Sequence, residues 1–171
     1  EEGLADAATI DWAMESIGKV RMGPFALMDL IGIDVNYTVS EAVFEAFYYD
    51  SRYRPSLTQK RMLEAGRLGR KSGRGFFNYH EGASKPEPRT DADLGNKIFE
   101  RILLMIINEA SEALFWNVAC PEAIEQAMTL GVNYPKGPLH WADEFGLARV
   151  VTKLENLHKE YGEERYRPSV L

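Results

Sequence analysis

Apolar residues recur at three- and four-residue intervals along most of this chain, the spacing of helical faces. Residues 4–17 read as a helix with Ile10, Ala13, Met14 and Ile17 on one side, and Asp6 or Thr9 is placed to cap its start. Pro24 suits the first turn of a short helix, Pro24 to Ile31, that ends near Gly32. Val35 to Tyr49 reads as a longer helix with Val39, Val43, Phe44 and Phe47 inward. Tyr53-Arg54-Pro55-Ser56 breaks it, and Ser56 offers a cap for Leu57 to Ala65, which Gly66 terminates. Three glycines and then three aromatics between Gly69 and Tyr79 predict a loop with a short extended piece. Residues 80–92 are polar, carry Pro86 and Pro88, and read as a linker. Leu94 to Val118 is predicted to be a long amphipathic helix, with Ile98, Ile102, Met105, Ile106 and Ala113 near one stripe. Pro121 begins another that runs to about Leu130. No useful stretch alternates with period two, so the fold class is all-α.

The same pattern occurs twice at a spacing of 114 residues. Ile10, Ala13 and Met14 recur as Ile124, Ala127 and Met128; Gly23-Pro24 recurs as Gly137-Pro138, Asp29 as Asp143, and Gly32 as Gly146. One residue short of that spacing, Tyr53-Arg54-Pro55-Ser56 recurs as Tyr166-Arg167-Pro168-Ser169. These identities fall on the residues that fix turns, so the division expected is a first repeat over 1–80, a linker over 81–92 and a second repeat over 93–171. The second copy owns a long leading helix for which the first has no counterpart, and it lacks the basic glycine loop. Each half is small for a core of its own, so the two are expected to pack together.

Charge narrows the possible functions. The net charge is −6, yet Ser51 to Tyr79 carries eight basic residues against Glu64 alone, a local +7 that leaves −13 elsewhere. An acidic chain with one basic patch argues against nucleic-acid binding and permits a local anion site. No apolar run reaches the roughly 18 residues that would span a bilayer, which predicts no membrane partner. The single Cys120 fits a reducing, cytoplasmic setting. His80, His140 and His158 show no metal-ligand spacing, so no metal site is expected. The chain opens on Glu1 with no leader, and it reads as a fragment or a processed form.

The run Met22-Gly23-Pro24-Phe25-Ala26-Leu27-Met28-Asp29-Leu30-Ile31-Gly32-Ile33-Asp34 resembles the C-terminal domain of 3-hydroxyacyl-CoA dehydrogenases. Tyr53-Arg54-Pro55 followed by Gly69-Arg70-Lys71-Ser72-Gly73-Arg74-Gly75-Phe76-Phe77 is similar to the same domain, as are Asn108-Glu109-Ala110 and Tyr134-Pro135-Lys136-Gly137-Pro138 in the second copy. The resemblance implies two tandem copies of the helical domain seen also at the C-terminus of 6-phosphogluconate dehydrogenase. The bacterial 3-hydroxybutyryl-CoA and phenylacetate-pathway dehydrogenases place two such domains after one Rossmann domain.

That resemblance implies NAD-dependent oxidation of an (S)-3-hydroxyacyl-CoA to the 3-oxoacyl-CoA, in fatty acid β-oxidation and related pathways. NAD, the catalytic His and its Glu would belong to an N-terminal Rossmann domain outside this chain, so the chain alone is expected to hold no cofactor and to be inactive. Acyl-CoA, that Rossmann domain and a second copy in a homodimer are the partners implied. Gly73-Arg74-Gly75-Phe76-Phe77-Asn78 begins like a dinucleotide fingerprint but has Asn78 for the third glycine. The family places an Asn near the reacting carbonyl, at the start of the leading helix; in the second copy that position is Glu100, so no catalytic residue is expected here. The candidate substrate contacts are the turn Gly23-Pro24-Phe25, at the acyl end of the cleft, and Arg70, Lys71 and Arg74, whose charges suit CoA phosphates. Gly-Pro as a plain helix start, and the basic loop as a solubilising or inter-subunit element, are the alternatives. For the chain as a whole the alternatives are a non-catalytic helical interaction module or a CoA- or nucleotide-binding regulator.

Overall fold

Helix boundaries fall where side chains or glycine dihedrals enforce them. In the computed structural model, which describes residues 2–170, the Asp6 carboxylate accepts from Thr9 N at 2.8 Å and starts α1 (Ala7–Ser16). Of the two caps offered by the sequence, Asp6 serves, while Thr9 is buried and its Oγ1 accepts from Arg89 N. Pro24 is the first residue of α2 (Pro24–Ile31), and Gly32, at φ +109°, turns the chain directly into α3 (Ile33–Ala46). Ser56 caps α4 (Leu57–Glu64) through Gln59 N. Asp91 accepts from Asp93 N and Leu94 N at the start of α5 (Ala92–Phe115). Pro121 opens α6 (Pro121–Gln126), which passes into a π-helical turn over Ala127–Gly131. Then come α7 (Pro138–Phe145) and α8 (Leu147–Tyr161), closed by Gly162 at φ +63°. Among the described residues there is no β-strand. The glycine loop holds only the isolated bridges Gly69–Arg74 and Arg74–Asn78 around a 3-10 turn, Arg70–Ser72.

The chain is all-α, in two compact units: one of Glu1–Gly18 with Met22–Asn96, the other of Lys19–Arg21 with Lys97–Leu171. In the first, Ala13, Met14, Ala26, Ile33, Tyr37, Met62 and Phe77 are buried. In the second, α5 supplies Leu103, Leu104 and Ile107 to a core closed by Trp141 and Ala142 of α7 and Val150 and Leu154 of α8. Residues α1, α2 and α3 begin with lie 114 positions before those that begin α6, α7 and α8. The 3-10 turns Ser51–Tyr53 and Glu164–Tyr166 lie 113 apart.

Two stripes differ from expectation. Val39, Val43 and Phe47 are 57%, 37% and 43% exposed, not inward, because α3 turns Ile33 and Tyr37 into the first unit. In α5, Ile98 is buried as expected, but the stripe continues through Leu103, Leu104, Ile107 and Ala110 while Ile102, Met105, Ile106 and Ala113 stay half-buried. Two polar side chains set that rotation. The Arg101 guanidinium lies over the rings of Tyr161 and Tyr166 and donates to the Tyr166 hydroxyl at 2.6 Å. Asn108 donates to Arg167 O and accepts from Ser169 N, pinning the Tyr166–Ser169 tail.

Candidate functional site

The turn Gly23-Pro24-Phe25 is the N-terminus of α2, where free amide N–H groups would attract an anion. Here the anion is supplied from within the fold. Asp11, on α1, accepts from Phe25 N at 2.8 Å and Ala26 N at 2.9 Å, and Glu15 accepts from Gly23 N at 2.7 Å. Burial pushes the Asp11 carboxyl above its ordinary range, against the two amides that favour its ionised form. Gly23 is required by this approach, since a Cβ there would meet Asp11 Cγ at 2.3 Å. The second unit repeats the device at the 114-residue shift. Glu125 accepts from Leu139 N at 2.7 Å, and its other oxygen lies 2.9 Å from His140 Nδ1.

Arg70, Lys71 and Arg74 sit in the loop that follows α4, and this loop is wrapped around Asp29 of α2. That fully buried carboxylate accepts from Phe76 N and Phe77 N, both at 2.9 Å, and from the Tyr79 hydroxyl at 3.1 Å. Burial, and then the Asp29 charge, hold the Tyr79 phenol above its ordinary value. Phe25 meets Phe76 edge-on at 4.5 Å, which ties the turn at the start of α2 to the glycine loop, while Lys71 reaches the other end of that helix, beside Gly32. The charges of the loop are differently engaged. Arg70 lies over the Tyr79 ring at 5.6 Å, and Lys71 donates to Asp34 at 2.6 Å, which holds that carboxyl below its ordinary value. Arg74 is exposed. Asp143, the counterpart of Asp29, is also exposed, and the second unit carries no such loop around it.

The loop does not fit a dinucleotide. The two amides that a phosphate would use, Phe76 N and Phe77 N, are already bonded to Asp29, and Gly69 and Gly75 are filled by the same residue. Among the described residues there is no cluster of groups able to hold a metal ion, and no helix is long and apolar enough to cross a membrane.

The sequence reading missed a groove of about 860 Å³ in the first unit, lined by Tyr37, Phe44, Tyr49, Arg54, Lys60 and Arg61 with Glu41 and Glu45 at its side. The only sequence signal was the helix break at Tyr53-Arg54-Pro55-Ser56. None of the six candidate substrate contacts lines it.

Comparison with known proteins decides what this architecture is. The model of the 3-hydroxyacyl-CoA dehydrogenase C-terminal domain matches the chain over residues 1–79 and again over 98–171. The chain belongs to that family. The 3-hydroxyadipyl-CoA dehydrogenase of Escherichia coli K12 is 32% identical over 256 aligned positions, covering all of this chain and 54% of the relative. The alignment is longer than the chain, so it opens gaps in this sequence. A probable 3-hydroxybutyryl-CoA dehydrogenase of Deinococcus radiodurans is 42% identical over 84 residues, 49% of this chain and 30% of the relative. The crystal structure of a 3-hydroxybutyryl-CoA dehydrogenase from Escherichia coli K12 superposes with a TM-score of 0.85 at 30% identity, over 99% of this chain and 54% of that one. The chain thus spans about half the length of the Escherichia coli proteins it matches.

Proposed function

We propose that the chain forms the substrate-side, helical C-terminal region of an NAD-dependent (S)-3-hydroxyacyl-CoA dehydrogenase, built as two tandem copies of one helical domain. The observation that carries this reading is the double match, 1–79 and 98–171, on a chain whose helices start in register at a 114-residue shift. The reaction is oxidation of the 3-hydroxyl: its proton passes to a general base and the C3 hydride to the nicotinamide. The relatives support this reading, since they include a 3-hydroxyadipyl-CoA dehydrogenase, a probable 3-hydroxybutyryl-CoA dehydrogenase and an alpha subunit of a fatty acid oxidation complex. In this reading the base and the dinucleotide site lie in a Rossmann domain outside the 171 residues, because the only fingerprint-like loop here encloses Asp29.

Gly23, Pro24 and Phe25 then form a fixed wall at the acyl end of the cleft, held by Asp11. Arg74 is the loop cation placed to meet a CoA phosphate, while Arg70 and Lys71 hold the loop's shape through Tyr79 and Asp34. The complete enzyme is proposed to be a cytoplasmic homodimer. The test is NADH-dependent reduction of acetoacetyl-CoA by the chain alone and by the chain joined to such a Rossmann domain, with turnover expected only in the second.

A further inference from the structure

The groove of about 860 Å³ between α3 and α4 combines three kinds of lining. Its aromatic part is Tyr37, Phe44 and Tyr49, whose ring meets Phe44 edge-on at 5.3 Å. Glu41 and Glu45 line it from α3, one helical turn apart, and Lys60 and Arg61 line it from α4. Among the described residues Lys60 and Arg61 enter no ion pair, with these two carboxylates or with any other. Opposite charges therefore stand in one groove without neutralising each other.

The backbone beside the groove is strained. Tyr48 and Tyr49 are both left-handed, at φ +52° and +63°, a conformation that crowds the Cβ of an L residue. In the second unit Gly162 closes α8 at φ +63°, where no side chain is crowded. A glycine would close α3 at less cost, yet tyrosines stand there, and strain of this kind is kept where the side chain is needed. The helical repeat does not itself require this lining. At the 114-residue shift Tyr37, Phe44 and Glu45 become Val151, His158 and Lys159.

We propose that the groove binds an adenine nucleotide, with its base on Tyr49 and Phe44, its ribose hydroxyls donating to Glu41 or Glu45, and its phosphate on Lys60 and Arg61. Aromatic side chains stack on bases, carboxylates accept from ribose hydroxyls, and ammonium and guanidinium groups hold phosphate. A purely anionic ligand would meet two carboxylates, and a purely apolar one would strip water from unmatched charges. A nucleotide carries a flat ring, hydroxyl donors and phosphate in one molecule, and pockets of this volume hold ligands of its size. Its source is either a free nucleotide or the nucleotide end of coenzyme A. None of the six candidate substrate contacts lines the groove, so the inference does not depend on which reaction the enzyme performs.

The test is isothermal titration of the full 171-residue chain with ADP, adenosine and inorganic pyrophosphate. ADP is expected to bind at least about tenfold more tightly than adenosine or pyrophosphate, because each carries only part of what the groove recognises. Tyr49→Gly should weaken ADP by about tenfold while the thermal midpoint stays at or above that of the parent, since glycine accepts φ +63°. Lys60→Glu with Arg61→Glu should abolish ADP binding and leave the helical circular dichroism unchanged, whereas Arg74→Ala should leave the affinity as it was. Coenzyme A added to the ADP-loaded chain separates the two sources: displacement assigns the groove to its nucleotide end, and no displacement to a free nucleotide. ADP binding no tighter than pyrophosphate overturns the proposal. So does binding that is the same in the parent, in Tyr49→Gly and in the doubly substituted chain.

Discussion

Gly75 stands so close to Asp29 that a Cβ on it would lie 2.0 Å from Asp29 Oδ1. The glycine-rich loop therefore owes its composition to a carboxylate from its own fold rather than to a phosphate. Asp29→Asn keeps the shape but turns an NH2 toward an amide N–H, leaving buried donors unmatched. A loss of about 2–4 kcal/mol is expected, with chemical denaturation as the measure. Limited proteolysis should cut the variant between Gly69 and Tyr79, where the parent resists. A variant as stable as the parent would remove Asp29 from its place as the loop's anchor.

The Asp11 clamp gives a second prediction. Asp11→Ala strips two acceptors from the start of α2, and a cost of about 2 kcal/mol is expected, near the upper end for capping losses. The corresponding Glu125→Ala should cost less, because Glu125 takes one backbone amide and its other oxygen meets the exposed ring of His140. Urea midpoints of the two variants decide the order.

Acid should weaken the cap of α1. The Asp6 carboxyl lies below its ordinary 3.8, first through the Thr9 amide it accepts from. A group depressed in the folded state contributes its stability above the unfolded value and loses it as pH falls through the folded one. Asp6→Ala is therefore expected to lower stability by about 0.5–1 kcal/mol at pH 6. The gap between variant and parent should close as melts are taken from pH 4 towards pH 2. A gap that stayed constant with pH would contradict the capping role.

In the complete dehydrogenase, Arg74→Ala is expected to raise KM for acetoacetyl-CoA by about tenfold with little change in kcat, the signature of a lost ground-state contact to phosphate. Its thermal midpoint should stay near that of the parent, since the side chain is exposed. Lys71→Ala removes the bond to Asp34, and its effect should fall on stability rather than on KM. An unchanged KM in Arg74→Ala would reduce the loop to a structural element.

Most helix starts were legible because they depend on single residues: Asp6, Pro24, Ser56, Pro121 and Pro138 each open a helix. The family was legible for a related reason, since the glycines and carboxylates at the turns are spaced by backbone geometry. Burial was harder to read. Hydrophobicity alone put Val39, Val43 and Phe47 inside, but which side of a helix is covered depends on what lies against it, and sequence periodicity carries no record of that. The inward roles of Arg101 and Asn108 were hidden because both bond to a tail some 60 residues away. The reason for the glycines in the basic loop was hidden in the same way, because Asp29, which they make room for, lies 47 residues upstream of the amide it meets.

The central claim, that this chain is the substrate-side half of a hydroxyacyl-CoA dehydrogenase, is tested most directly by NADH oxidation with acetoacetyl-CoA. The 171-residue chain would be assayed alone and joined to an N-terminal Rossmann domain, each across a range of acyl chains. Turnover confined to the joined protein is the result predicted. Turnover by the chain alone, or none in either form, would contradict it.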